Sequence, residues 1–401
     1  MEPNYEVDYA LIFTAGTAVD TRSLGQLALF AGSSAVHYSD QQPDGFLLTR
    51  DGTTIEVDGE GFVYDGGVPV SGDVIGMIVM TGNALAFEFG RYLSEDSLPL
   101  PITAFFSSDP LAIAKILFAG NDIINGSAID DTLYGFTGDD LISGRSGDDL
   151  VYGENGDDQL SGANGDDKLY GGNGDDWLTG GRGNDKLFGG NGFDIASFAD
   201  KLSPVVVNLS KGKTVKAKIG FNEVDKLKGI DGVLGGVGDD KITGNGRDNM
   251  LGGNAGNDVL KGKGGNDVLV GGWGSDTLVG GKGEDTFLFD KQPAGGSFTD
   301  IDKIKDFTHG VDTLQFADWY AEVLSSILSY SGVLSAKNFH AAPGAFAGVG
   351  ETYFVYDTTR GILYFDASGD GTGRVHQVAV LKGAPTLAAS DFFIEAPDLI
   401  V

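Results

Sequence analysis

The chain has 401 residues, of which 58 are acidic and 27 are basic, so its formal net charge is −31. This excess of acid argues against nucleic acid or an anionic membrane as a partner, because few cations could neutralise the phosphates. The absence of cysteine excludes disulfides, thiolate catalysis and cysteine-ligated metal centres.

Residues 1–118 are ordinary in composition and predict a small N-terminal β domain. Apolar stretches predict strands at residues 10–13, 46–49, 53–57, 61–64, 74–80 and 84–89. The dipeptides Asp51-Gly52, Asp58-Gly59 and Asp65-Gly66 predict turns between successive strands, and residues 110–118 predict a helix. The acidic start predicts no cleaved N-terminal signal, and no apolar run reaches the roughly 18 residues of a transmembrane segment.

A nine-residue repeat begins near Gly120 and makes the chain rich in Gly, Asn and Asp. Its pattern is G-x-x-G-x-D-x-U-x, where U is a bulky apolar residue, and consecutive units read GRSGDDLVY, GENGDDQLS, GANGDDKLY and GGNGDDWLT. We number the positions of each unit one to nine, so the aspartate is sixth and the apolar residue eighth. The first block covers residues 119–196. Its sixth-position residues, with one in a preceding partial unit, are Asp122, Asp131, Asp140, Asp149, Asp158, Asp167, Asp176, Asp185 and Asp194.

A second block covers residues 235–290 in the same pattern. Its sixth-position residues are Asp240, Asn249, Asp258, Asp267, Asp276 and Asp285. Asp194 and Asp240 are 46 positions apart, which is not a multiple of nine, so residues 197–234 are predicted to be an insertion. The insertion contains a strand candidate at residues 205–209 and a basic stretch formed by Lys211, Lys213, Lys216 and Lys218.

The period of nine predicts a parallel β-roll. The six-residue segment G-x-x-G-x-D suits a turn, because glycine reaches positive φ without steric cost. The three-residue segment x-U-x suits a short strand with one inward side chain. Two units then make one 18-residue coil, successive coils stack about 4.8 Å apart, and the apolar residues line a thin core between two parallel sheets.

The same stacking places every second aspartate in one column, so each edge of the roll carries a ladder of carboxylates. Two carboxylates about 5 Å apart repel by roughly 3 kcal/mol at an effective dielectric near 20, which a thin core cannot offset over many coils. Carboxylates and turn carbonyls are the oxygen ligands that Ca²⁺ takes, whereas Mg²⁺ demands a tighter octahedron. The fourteen aspartates named above are therefore predicted metal ligands, and adjacent pairs predict about eleven Ca²⁺ sites.

The repeat resembles the nonapeptide of the repeats-in-toxin (RTX) family of secreted calcium-binding proteins. The resemblance implies a calcium-loaded β-roll whose ligands are the sixth-position aspartates and turn carbonyls. It also implies export through the type I secretion machinery of a Gram-negative bacterium. Ile129 and Arg247 depart from the pattern at the fourth position and Asn249 at the sixth, so these coils are expected to bind weakly or not at all.

Residues 291–401 extend the resemblance. Residues 302–307 and 310–316 are similar to the D-x-I-x-D-F and G-x-D-x-L-x-F segments that close the roll in secreted RTX proteins. The remainder is similar to the family's C-terminal secretion region. The predicted fold is therefore all-β: a calcium-stabilised parallel β-roll in two blocks, with a small N-terminal β domain and a C-terminal α+β capping and secretion region.

The sequence contains neither H-E-x-x-H nor G-x-S-x-G, so we predict no enzyme and no catalytic residue. The expected function is that of a secreted, extracellular calcium-binding protein that folds when it binds Ca²⁺ and contacts a cell surface, matrix polysaccharide or host surface. Two alternatives stay open. The N-terminal domain could be an uncharacterised enzyme, or the roll could be a carbohydrate-binding module that uses Trp177 and Trp273.

Overall fold

The computed structural model describes residues 9–12, 37–42, 45–50, 53–65, 68–81, 84–90, 100–101, 120–126, 128–211, 213–290, 301–317, 332–346, 352–366, 368, 371 and 375–394. Before residue 120 it describes the backbone only. The chain divides into two units, one formed by residues 2–194 and 225–229, the other by residues 195–224 and 230–401. The predicted helix at residues 110–118 lies outside the described residues.

An antiparallel meander precedes the repeats in the first unit. Its strands are β1 (Tyr9–Ile12), β2 (His37–Gln42), β3 (Gly45–Arg50), β4 (Thr53–Asp65), β5 (Val68–Thr81), β6 (Ala84–Gly90) and β7 (Leu100–Pro101). Asp58-Gly59 lies inside β4, where pairing with β5 continues through a register shift. The prediction of a turn there is therefore wrong, since an Asp-Gly pair can also form a β-bulge within a strand.

Short parallel strands form the roll of the first unit. They are β8 (Asp122–Asn125), β9 (Thr132–Thr137), β10 (Leu141–Ser143), β11 (Leu150–Asn155), β12 (Gln159–Asn164), β13 (Lys168–Asn173), β14 (Trp177–Arg182) and β15 (Lys186–Asn191). The even-numbered strands form one parallel sheet, which we call the first sheet, and the odd-numbered strands form the second sheet. β1 pairs antiparallel with β6 and parallel with β8, so the meander joins the first sheet.

The second unit repeats this architecture. Its strands up to the end of the second block are β16 (Ile195–Ser197), β17 (Val205–Asn208), β18 (Val215–Ile219), β19 (Glu223–Lys228), β20 (Gly232–Leu234), β21 (Lys241–Thr243), β22 (Met250–Gly252), β23 (Val259–Gly264), β24 (Val268–Val270), β25 (Thr277–Lys282) and β26 (Thr286–Phe289). One parallel sheet runs β16-β20-β22-β24-β26, and the other runs β17-β21-β23-β25. Residues 226–228 of β19 belong to the first unit and pair with β15.

The roll continues beyond the second block. The last strands are β27 (Asp302–Ile304), β28 (Thr313–Phe316), β29 (Gly332–Val333), β30 (Phe339–Ala342), β31 (Phe354–Asp357), β32 (Ile362–Asp366), β33 (Val375–Leu381) and β34 (Phe392–Ile394). β27 and β28 add one parallel strand to each sheet, and β33 and β34 add another. The helical elements among the described residues are single 3-10 turns at Leu209–Lys211, Ala336–Asn338 and Ala389–Asp391.

The eighth-position residues form the core, as the period predicts. Those of the two blocks are at most 1% exposed, and they are Leu133, Ile142, Val151, Leu160, Leu169, Leu178, Leu187, Ala196, Ile242, Leu251, Leu260, Leu269, Leu278 and Phe287. Larger rings replace them at the end of the second unit, where Phe316 packs against Phe289, Phe354 and Phe392 at centroid distances of 4.9, 4.6 and 6.1 Å. The predicted all-β, parallel β-roll fold is confirmed.

Candidate metal-binding site

The sixth-position aspartates form two ladders in the first unit, one along each edge of the roll. In the first ladder the backbone N–H of Asp140 donates to Asp158 Oδ1 at 2.9 Å, and that of Asp158 donates to Asp176 Oδ1 at 3.0 Å. In the second ladder the N–H of Asp149 donates to Asp167 Oδ1 at 2.8 Å. Each of these partners lies one 18-residue coil further along the chain, so the structure brings together residues that the sequence predicted as neighbours.

All fourteen predicted ligands are buried, with at most 3% of each residue exposed. Seven of their carboxylates keep an Oδ2 atom that is buried and has no hydrogen-bond partner, and these belong to Asp140, Asp149, Asp158, Asp167, Asp176, Asp258 and Asp267. A buried carboxylate oxygen without a partner is costly, because it gives up water and receives nothing in return. The arrangement therefore needs a cation or a proton at each of these atoms.

The first-position glycines leave room for these oxygens. A Cβ atom added to Gly153 would overlap Asp158 Oδ2 and lie 2.9 Å from the carbonyl oxygen of Gly171. At Gly162 it would overlap Asp167 Oδ2 and lie 2.6 Å from the carbonyl oxygen of Gly180. The unpartnered carboxylate oxygen and a carbonyl oxygen of the next coil thus converge beside each of these glycines.

Burial also changes the acidity of the ladder. Loss of hydration raises the pKa of Asp158 to about 8; the N–H of Asp140 opposes this rise, and the neighbouring charges of Asp140 and Asp176 add to it. Loss of hydration likewise raises the pKa of Asp240 to about 6. It raises to about 7 the pKa values of Asp140, Asp149, Asp167, Asp176, Asp258 and Asp267. Without a cation, ionised carboxylates in the ladder are therefore unfavourable near pH 7.

The donor set fits calcium. Among the described residues no group of three or more His, Asp or Glu side chains converges, so each site must take most of its oxygens from the backbone. Ca²⁺ accepts six to eight oxygen ligands in flexible geometry, and backbone carbonyls are among its usual ligands. The orphaned Oδ2 atoms and the glycine carbonyls supply such oxygens from successive coils.

Three further aspartates continue the ladders outside the fourteen predicted positions, and a fourth, Asp231, lies beside Asn249. Asp225 Oδ1 accepts from the N–H of Asp185 at 2.9 Å, Asp302 Oδ1 from that of Asp276 at 3.0 Å, and Asp312 Oδ1 from that of Asp285 at 3.1 Å. The carbonyl of Asp231 accepts from the Asn249 side chain. Each is followed two residues later by Leu or another inward apolar residue, so the triplet D-x-U alone could have revealed them.

The hairpin β17–β18 explains why two of these coils appeared to be an insertion. Its strands pair antiparallel, and β17 also pairs with β21. The hairpin adds residues that follow no nine-residue period, so the spacing in sequence from Asp194 to Asp225 and Asp231 is not a multiple of nine. The apolar residues that follow these aspartates, Leu227 and Val233, are nevertheless buried in the core. The predicted domain boundaries stay a prediction.

One coil carries its own cation. The Arg247 guanidinium lies 2.8 Å from Asp231 Oδ1, and Asn249 Nδ2 donates to the Asp231 carbonyl at 2.8 Å. A guanidinium and an amide thus stand where the other coils place only oxygens. Arg247 and Asn249, the two residues of this coil that depart from the repeat pattern, thus both contact Asp231.

The fifth-position residues form a separate, exposed ladder. The N–H of Asp157 donates to Asp139 Oδ1 at 2.9 Å, and that of Asp175 donates to Asp157 Oδ1 at 2.7 Å. The carboxylate therefore accepts from the following coil, whereas the sixth-position carboxylate accepts from the preceding one. The side-chain oxygens of Asn121 and Asn266 accept in the same way from the N–H groups of Asp139 and Glu284, so this ladder does not depend on charge at every position.

The other candidate side chains do not join the ladders. Trp177 and Trp273 are each 38% exposed on the roll surface. Nδ1 of His309 lies within hydrogen-bond distance of Asp391 Oδ2, at 2.7 Å, and links the end of the roll to its last 3-10 turn. No helix among the described residues is long and apolar enough to cross a membrane.

The fold and its acidic edges define the class of protein: a parallel β-roll with stacked, buried carboxylates at its turns. The family model of the RTX calcium-binding nonapeptide repeat (4 copies) matches residues 118–151, 134–169, 161–196 and 252–287. The chain therefore carries RTX calcium-binding repeats, as the sequence predicted.

No curated protein matches the chain. The crystal structure of the extracellular lipase LipA from Serratia marcescens is similar at 17% identity and a TM-score of 0.24, over 69% of this chain and 38% of that one. The chain thus spans well under half of the lipase.

Proposed function

We propose that this protein is a secreted, non-enzymatic calcium-binding protein whose β-roll folds when Ca²⁺ binds outside the cell. One observation carries the proposal: seven buried carboxylates each keep an unpartnered oxygen, and first-position glycines bring carbonyl oxygens beside them. Bound calcium would supply the positive charge that this arrangement lacks.

The proposed ligands are the fourteen predicted aspartates with the carbonyls of the first-position glycines, in about eleven sites. Asp225, Asp302 and Asp312 extend the ladders and are added to the proposed set. The pair Asp231 and Asn249 is left out, because Arg247 already supplies a cation there. Metal binding would account for the buried acid of the roll, which is why we propose a binding role rather than a catalytic one.

The proposed extracellular location rests on the difference in calcium concentration between the outside of a cell and its cytosol. Extracellular calcium modules bind at about 10⁻⁴ to 10⁻³ M, so such sites fill outside a cell and stay empty in a cytosol that is poor in calcium. Binding energy at these sites becomes folding energy. We therefore propose export as an unfolded chain by a type I system, with residues 291–401 as the secretion region, and attachment to a cell, matrix or host surface as the external role.

Calcium titration of two matched variants tests the folding proposal. Asp158→Asn removes one charge from the buried ladder but keeps an oxygen that can accept from Asp140, as Asn249 does from Asn245 in its own coil. Asp157→Asn makes the same change at the adjacent fifth position, where Asn occurs naturally in other coils. Strand content is followed by circular dichroism, and bound calcium by equilibrium dialysis.

We expect the unaltered protein to gain strand content with Ca²⁺ and not with an equal concentration of Mg²⁺. Asp158→Asn should bind about one to two fewer ions and need more calcium to fold, because its carboxylate faces two neighbouring coils. Asp157→Asn should behave like the unaltered protein. Equal strand content with and without calcium would refute the proposal.

A further inference from the structure

The outer face of the second sheet in the first unit carries a column of lysines. Lys168 pairs in register with Lys186, and Lys186 pairs with Lys226, so the three occupy seventh positions of consecutive strands about 4.8 Å apart. Lys168 and Lys226 are exposed and Lys186 is half-buried. We call these three residues the lysine column.

Within the part of the chain that the structure describes, no carboxylate forms an ion pair with Lys168, Lys186 or Lys226, although the chain has a net charge of −31. Other cations of the chain do have such partners: Lys201 pairs with Glu223, and Arg247 with Asp231. Like charges directly opposite one another on a sheet are destabilising. Three registered lysines are therefore a cost that a bound anion would remove.

Stacked aromatic rings lie two residues after the column lysines of β13 and β15, and at the matching position of the neighbouring strand β11. Tyr152 and Tyr170 stack with their ring centroids 4.8 Å apart, and Tyr170 and Phe188 stack at 4.6 Å. Lys228 lies over the Phe188 ring at 5.9 Å from its centroid. Because the rings cover one another's faces, they leave their edges and the tyrosine hydroxyls to a ligand. The tyrosine hydroxyls can accept hydrogen bonds from hydroxyl groups of a ligand and can donate to them.

The acid around the column restricts what can bind. The exposed fifth-position carboxylate of Asp166 lies just before β13, that of Asp148 lies just before the neighbouring β11, and Glu154 lies at the far end of β11. The positive strip is thus narrow and bordered by negative charge. A duplex with two lines of phosphates would meet these carboxylates, whereas a single chain with widely spaced charges would not.

We propose that the lysine column and the adjoining tyrosines bind a linear polysaccharide that carries one carboxylate per sugar. Successive lysines would pair with carboxylates along the chain, and the tyrosine hydroxyls would contact sugar hydroxyls. This site is separate from the calcium ladders, whose buried carboxylates lie along the edges of the roll.

Two triple variants with equal loss of charge test the proposal. Lys168→Gln/Lys186→Gln/Lys226→Gln removes the column. Lys213→Gln/Lys263→Gln/Lys282→Gln removes three exposed lysines elsewhere. Binding of fluorescent trigalacturonate is measured by anisotropy at constant free calcium, with neutral dextran and single-stranded oligo(dT) as comparison ligands. Circular dichroism in calcium establishes that both variants keep the roll, and light scattering follows self-association.

We expect trigalacturonate to bind the unaltered protein, to weaken as salt is raised, and to lose at least tenfold in affinity in the column variant but not in the control. Dextran should not bind. The proposal is overturned if trigalacturonate does not bind the calcium-loaded protein, if both variants lose affinity equally, or if oligo(dT) binds more tightly. A column variant that alters only thermal stability or self-association also overturns it, since the lysines would then serve the fold or a second copy of the chain.

Discussion

The fourth-position glycines occupy the tightest point of each turn. Gly156 has φ 129°, a region that L residues rarely adopt, and a Cβ atom there would overlap the carbonyl oxygen of Gly138 one coil earlier. Second-position residues also have positive φ, yet Glu154 and Ala163 are accepted there with φ near 75°. The turn therefore demands glycine at one position and only favours it at another.

Replacement of a fourth-position glycine should disrupt the roll. We expect Gly156→Ala to cost about 3 kcal/mol in calcium-saturated protein, because backbone strain and overlap with the preceding coil add together. Gly246→Ala is the control, since Gly246 has no atom within 4 Å of its added Cβ and lacks positive φ. Thermal unfolding followed by circular dichroism measures both. Equal melting temperatures for the two variants would contradict the argument.

Arg247 and Asn249 place a guanidinium and an amide at Asp231, in a coil where the repeat pattern would otherwise predict a metal ion. Their groups contact the side chain and carbonyl of Asp231, where other coils present only oxygens. The double change Arg247→Gly/Asn249→Asp restores the repeat pattern at both positions.

The restored coil should gain a calcium site. We expect Arg247→Gly/Asn249→Asp to bind about one more ion than the unaltered protein, and to be less stable when calcium is removed. Arg182→Gly/Asn184→Asp makes the same chemical changes at exposed positions and should leave the stoichiometry unchanged. Equilibrium dialysis with calcium decides the matter, and an unchanged ion count in the restored coil would count against carboxylate ligation.

At the scale of the element, a three-residue strand is held by its neighbours rather than by itself. Each strand contributes one inward residue and relies on hydrogen bonds to the coils on either side, and the fifth- and sixth-position ladders run in opposite directions between those coils. A strand of this length has too few bonds of its own to be stable alone. Its stability therefore depends on the protonation and metal state of the adjacent ladders.

The raised pKa values determine whether the metal-free roll becomes more or less stable as the pH changes. The pKa of an aspartate such as Asp167 is ordinarily 3.8, as in the unfolded chain, and burial raises it to about 7 in the metal-free fold, so the folded state binds more protons. The metal-free fold is therefore favoured below pH 3.8 and loses this contribution as the pH rises through about 7. We expect calcium-depleted protein to gain strand content as the pH is lowered from 8 to about 5.

Matched variants assign this response to the ladder. Asp158→Asn/Asp167→Asn should show a weaker pH response and more strand content at pH 8, since two of the titrating groups are removed. Asp157→Asn/Asp166→Asn should keep the full response, as these side chains are exposed. Circular dichroism of calcium-depleted samples records both, and strand content that falls with acidification would disprove the assignment.

The sequence predicted the parts of the fold that repeat. A period of nine determines the two sheets, the inward residues and the stacking of alternate aspartates, because each follows from chain geometry alone. It did not reveal Asp225 and Asp231, since the β17–β18 hairpin breaks the count between them and Asp194. Nor did it reveal the lysine column, because Lys168, Lys186 and Lys226 occupy a variable position and become neighbours only through the register of β13, β15 and β19.

At the scale of the whole molecule, the charge of −31 is divided between buried and exposed acid. Exposed carboxylates such as Asp157 are screened by ordinary salt, whose Debye length at about 1 M is roughly 3 Å. The sixth-position carboxylates are at most 3% exposed when folded, so bulk ions do not reach them. Ordinary salt should therefore only screen the exposed acid, whereas calcium should bind the buried acid and stabilise the folded state.

This difference predicts the behaviour of the metal-free chain. We expect about 1 M NaCl to reduce its hydrodynamic radius only slightly, whereas millimolar CaCl₂ should compact it in a cooperative step. Dynamic light scattering measures the radius, and MgCl₂ at the same ionic strength is the control. Full compaction by NaCl or MgCl₂ would mean that general screening, rather than ligation, stabilises the roll.

The coil of 18 residues also restricts how such a gene can lengthen. Tandem duplication of a single nonapeptide would move every later side chain to the opposite sheet, so lysines and tyrosines would be divided between two surfaces. Duplication of a pair keeps each surface intact and adds one more coil. Related proteins that keep the proposed lysine column should therefore differ from one another by even numbers of nonapeptides.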